Sequence, residues 1–184
     1  MSRDRDRDRD TGGRPRNARP RDALGRPLDR SGPGAGADPI PDDLLLAGAD
    51  AARLADELLR AGRPFHAHEV LEASWKSGPA GERDLWQGLA QIAVGLTHAH
   101  RGNARGAVAL LTRGTQRVRA YQAASAAASP AASPAASAAQ DRPYGIDLAA
   151  FLAASEALAA RIDRDGLADI SAADLRPGLT AGPG

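Results

Sequence analysis

Leu58-Leu59-Arg60-Ala61-Gly62-Arg63-Pro64-Phe65-His66-Ala67-His68-Glu69-Val70-Leu71-Glu72-Ala73-Ser74-Trp75 joins the end of one amphipathic stretch to the start of another across a Gly-x-Pro break. Gly62 supplies a helix stop and Pro64 an opening for the next helix, because proline tolerates the first helical position and glycine the left-handed conformation just past a C-terminus. At about 100° per residue, Phe65, His68, Leu71, Glu72 and Trp75 fall in one sector of roughly 120°. An imidazole and a carboxylate thus share a largely apolar helix face. His68 and Glu72 are four apart and Glu69 and Glu72 three apart, so these side chains can meet on the helix surface.

Outward from this stretch, the same periodicity predicts five helices, near 42–61, 65–77, 82–100, 104–122 and 147–163. Leu44, Leu45, Ala51, Leu54, Ala55, Leu58 and Leu59 recur at three- and four-residue spacing, with Asp42 as the expected cap of helix one. Helix three presents Leu85, Leu89, Ile92, Leu96 and Ala99 on one face and Gln87, Gln91 and His98 on another, as a central helix would. Arg101-Gly102-Asn103 reads as a stop followed by an N-cap, and Asp147 as the cap of the last helix. No alternating β-branched run occurs, so the expected fold is all-α: a single bundle of about five mostly antiparallel helices, with helix three the most buried.

Composition sets the surroundings. Residues 1–40 open with alternating Arg and Asp and continue through Gly and Pro with few apolar residues, so they read as a disordered tail. The helical domain is expected over 41–165, interrupted by an Ala/Ser/Pro linker at 123–142, with a flexible C-terminal tail at 166–184. The 24 basic and 23 acidic side chains leave a net charge of +1, which gives no bulk attraction to nucleic acid or to a membrane surface. The absence of cysteine excludes disulfides and thiolate metal ligands. No apolar run spans a bilayer and no signal-peptide core is visible, so the expectation is cytoplasmic.

Three segments, taken in order, resemble the family known as domain of unknown function 309: His68-Glu69-x-x-Glu72-x-x-Trp75 after the Ala61-Gly62 turn, Gln87-Gly88-Leu89-x-Gln91, and Gly102-Asn103-x-x-Gly106-Ala107. The resemblance covers roughly Asp42 to Tyr121 and implies a small all-helical protein whose biochemical role is not established. Pro64 stands where that family usually carries an aromatic residue.

The candidate polar pocket comprises His68, Glu69, Glu72, Gln87, Gln91 and His98, with helices two and three facing each other across it. If the pocket is a closed structural network, Glu72 accepts from a Trp indole or a Gln amide and His68 fixes the helix register. The aromatic residues Phe65, Trp75 and Trp86 are expected in the core, and His66 and His100 at the solvent or the rim. The functional expectation is a non-catalytic binding or scaffold module for an unknown protein or small-molecule partner, with homo-oligomerisation open. An acid/base or metal-dependent enzyme using His68 and Glu72 is the alternative, but only one His and one Glu share the face, short of a metal set, so no cofactor is assigned. A nucleic-acid-binding accessory role, resting on Arg105, Arg113, Arg117 and Arg119, is the weakest alternative.

Overall fold

The computed structural model describes residues 21–22, 24–26, 28, 46–128 and 142–180. Among these, five α-helices form one bundle: α1 (Gly48–Arg60), α2 (Pro64–Ser77), α3 (Arg83–His100), α4 (Ala104–Ala128) and α5 (Leu148–Asp165). The described residues contain no strand, and an isolated antiparallel bridge joins Ile146 to Thr180. None of their helices is long and apolar enough to cross a membrane.

The local signals act where the sequence puts them. Gly62 takes φ 70° and Gly102 φ 78°, and beyond each the chain closes back on its helix: Arg63 N–H donates to Leu58 C=O at 2.8 Å and Asn103 N–H to His98 C=O at 2.9 Å. The Asn103 side chain accepts from Gly106 N–H at 2.9 Å, and that of Asp147 from Ala150 N–H at 3.1 Å.

Three boundaries depart from expectation. Helix one starts at Gly48 rather than at 42, with Ala47 extended before it, and Asp50 supplies the acidic residue of its first turn. Asp42 and Asp43 themselves lie outside the described residues. Gly48 packs face-on against the Tyr144 ring, so a side chain there would collide with it. Helix four runs on to Ala128, six residues into the stretch read as linker, because Ala is the strongest helix former and the first proline comes only at 130. The segment after α5 is packed rather than loose: Leu175 and Leu179 are buried, and Asp174 pairs with Arg161 at 2.7 Å.

Helix α3 is the centre, as its two-faced pattern requires, with Leu85, Trp86, Leu89, Ile92, Ala93 and Leu96 all at 1% exposure or less. It runs antiparallel to α4, since Gly88 meets Gly114 and Val118 while Gly95 meets Leu111. At the Gly88–Gly114 crossing the backbones touch. A Cβ on Gly114 would stand 2.7 Å from Gly88 O and 2.9 Å from Ile92 N, atoms that cannot swing away. Gly114→Ala gains about 1 kcal/mol of helix propensity but overpacks a backbone contact at a cost of about 1–3 kcal/mol, so the expected net effect is destabilisation. Urea unfolding checks it, and a variant as stable as the parent refutes the close crossing.

Candidate functional site

The six residues expected to share one pocket divide into two groups by their bonding. On α2, His68 Nε2 lies 3.7 Å from Glu72 Oε2, and Glu72 Oε1 lies 3.1 Å from Lys76 Nζ. This i, i+4, i+8 row follows the helix surface, and the Glu72 side chain is 37% exposed. Glu72 is therefore not sealed inside the bundle. The His68 ring is set deeper, and its Nδ1 is buried beside the Ala90 backbone of α3 without a hydrogen bond of good geometry. Burial pushes the His68 pKa down, the Glu72 charge opposes that shift and Lys76 adds to it, leaving a neutral imidazole at neutral pH. Glu69 is half-buried on the same helix.

Two of the helix-three members turn to α4. Gln87 Oε1 accepts from the Arg117 guanidinium, which also pairs with Asp84 at 3.2 Å, and His98 Nδ1 lies 2.7 Å from the Asn103 amide nitrogen at the start of α4. Gln91, one turn on from Gln87, has its Oε1 buried without a hydrogen-bond partner among the described residues. A closed α2–α3 network of all six is thus corrected: Gln87 and His98 are engaged by α4 groups that lie close in the antiparallel pairing, where helix periodicity gives a sector but not a partner.

The aromatics also separate. Trp86 is core at 1% exposure, whereas Phe65 and Trp75 are half-buried, Trp75 with its ring 6.0 Å from Lys76 Nζ and Phe65 beneath the Arg21 guanidinium at 5.2 Å. His66, expected at the solvent or the rim, is 1% exposed; Gly25 of the N-terminal stretch packs on the neighbouring Phe65 ring, and Arg101 Nε donates to Leu24 C=O at 3.0 Å. His100 is half-buried rather than open, with Nε2 sealed from solvent.

A second polar cluster escaped the sequence reading. The expected carboxylate acceptor of a Trp indole exists, but it is Glu82: Trp86 Nε1 donates to Glu82 Oε2 at 3.0 Å, and the Tyr144 hydroxyl donates to Glu82 Oε1. Tyr144 stacks on Trp86 at 5.3 Å between centroids and takes φ 58°, rare for a residue with a side chain. Burial, then the Glu82 hydrogen bond and charge, push its pKa up to about 12. Only the i, i+4 spacing of Glu82 and Trp86 was visible in the sequence, since Tyr144 arrives from 62 residues away.

Among the described residues no group of three His, Cys, Asp or Glu side chains is placed to hold a metal ion. Neither the curated proteins nor the solved structures include a match to the chain. Over residues 53–110, from α1 through α2 and α3 into the start of α4, the chain matches the family described as a domain of unknown function (DUF309), and all three motif segments lie inside that match.

Proposed function

We propose that the protein is a non-catalytic binding or scaffold module whose contact face is the outer surface of α2, formed by His68, Glu72, Trp75 and Lys76. The observation that carries this reading is the openness of Glu72, at 37% side-chain exposure, beside a Trp that the bundle leaves half-buried. A tryptophan next to a neutral imidazole and a neutralised carboxylate has the composition of a protein-contact hot spot: a large apolar ring with orienting polar groups and little net charge. The partner that suits it is a protein segment offering an apolar side chain to Trp75 and a hydrogen-bond donor to Glu72.

Immobilised protein, incubated with host lysate and read by quantitative mass spectrometry, tests the assignment. Trp75→Ala is expected to lower recovery of the specific partner at least about tenfold, and Glu72→Ala to lower it less. Because Glu72 is partly open, Glu72→Ala should change folding stability by less than about 1 kcal/mol, so the loss of recovery is not a loss of fold. Equal recovery by all three proteins removes α2 as the contact face.

A second reading, proton transfer by His68, has one observation in its favour: the ring is seated against the Ala90 backbone with Nε2 turned toward Glu72. It requires turnover that is lost in both His68→Gln and Glu72→Gln.

A further inference from the structure

The N-terminal end of α2 lies beyond the proposed contact face. No side chain caps the first turn, which begins with Pro64 after Arg63. Arg63 Nε and His66 Nδ1 are both buried and have no hydrogen-bond partner among the described residues. His66 is the third residue of the helix and only 1% exposed, and helical side chains lean toward the N-terminus, so its ring lies back over the uncapped turn. The two side chains are near enough that the Arg63 charge, after burial, depresses the His66 pKa. The Arg176 guanidinium lies against Gly62, the residue before Arg63, within 3.1–3.5 Å of where a Cβ would stand. The charged groups that face His66 from the N-terminal stretch are Arg21 and Asp22, and Asp22 Oδ1 already accepts from Leu24 N–H at 2.9 Å and Arg26 N–H at 2.7 Å.

A buried guanidinium N–H left unpaired is costly, and so is a buried imidazole nitrogen. The helix terminus adds its own unpaired amides and positive partial charge, which favour an anion. We propose that this end of α2 is an oxyanion-binding site in which Arg63 Nε–H and His66 Nδ1–H are the donors and Arg176 contributes charge at the rim. The ligand is a phosphate or carboxylate group that enters beside Arg21 and Asp22. A neutral imidazole with its proton on Nδ1 suffices, and a bound anion favours the protonated ring.

Thermal unfolding of the full chain in phosphate, in acetate and in chloride, at one ionic strength, tests the site. A higher midpoint in phosphate than in chloride is expected, and an equal rise in acetate identifies a carboxylate as a competent ligand. Arg63→Met and His66→Gln should each weaken the anion dependence about tenfold, while Arg113→Met on the exposed face of α4 leaves it unchanged. Midpoints that do not distinguish phosphate and acetate from chloride overturn the proposal, as does an undiminished response in both site variants. Should a variant fail to fold, NMR titration of wild-type His66 decides: its pKa rises when phosphate is added if the site exists, and an unmoved pKa rejects it.

Discussion

Trp86→Ala is expected to cost about 3–5 kcal/mol of folding stability, close to half the total of a small domain. The ring is fully buried at the start of the central helix, so truncation leaves a cavity in the core. It also strips two further interactions. Glu82 loses the indole donor held at 3.0 Å, and Tyr144 loses the ring it stacks on, although its hydroxyl still reaches Glu82. Tyr144 sits at positive φ, a conformation that persists only while its surroundings hold it, so the 143–145 turn should loosen with the mutation. Tyr144→Phe removes only the hydroxyl bond and should cost about 1 kcal/mol. Urea unfolding measures both changes, with unaltered denaturant slopes expected if the folded state is otherwise the same. A loss below about 1.5 kcal/mol for Trp86→Ala would mean that the ring is not the anchor of this end of the bundle.

What the sequence made legible were the features governed by neighbours along the chain. The stops at Gly62 and Gly102, the caps at Asn103 and Asp147 and the opening at Pro64 depend on a few adjacent residues, and each acts as expected. The centrality of α3 followed from its periodicity. Features that depend on a distant segment were not legible. Gln87 and His98 do form a polar sector, yet the antiparallel crossing of α3 and α4 at Gly88 and Gly114 gives that sector Arg117 and Asn103 as partners instead of α2. His66 reads as a solvent or rim residue because it falls outside the apolar sector of α2, yet it is 1% exposed; Gly25, in a stretch whose composition reads as a tail, packs on the ring of its neighbour Phe65. Composition averages over a window, and one glycine pressed on Phe65 is invisible to it. The match over residues 53–110 includes the α2 row but neither Tyr144 nor the C-terminal segment, so the contacts at both ends of the bundle rest on the geometry of this chain.

The C-terminal segment is where composition misled most, and Asp56 explains why. Its carboxylate, 7% exposed on α1, accepts from Leu179 N–H at 2.6 Å, Thr180 N–H at 3.3 Å, the Thr180 hydroxyl at 2.7 Å and Arg60 Nε at 3.0 Å. Leu179 is thereby fixed at 0% exposure, one of two buried leucines in a Gly-, Pro- and Asp-rich run. Asp56→Ala is expected to cost about 3 kcal/mol, within the range for breaking a buried, hydrogen-bonded charge. The loss is capped by the docking free energy of the segment, because once detached its amides bond to water. Hydrogen exchange at the Leu179 and Thr180 amides should therefore rise more than exchange in α3. Burial alone would raise the Asp56 pKa, but the bonds from Thr180, Arg60 and the Leu179 amide outweigh it and hold the carboxyl below its usual 3.8. The unfolded chain thus takes up this proton at higher pH than the folded chain. The Asp56 contribution is fully present above about pH 4 and is lost as pH falls through the lower folded value. Wild type and Asp56→Ala should consequently converge in stability at the acid end of a pH series and diverge toward neutrality. Parallel curves, or Leu179 and Thr180 amides that stay protected in the variant, would show that the segment is held by its leucines and not by the carboxylate.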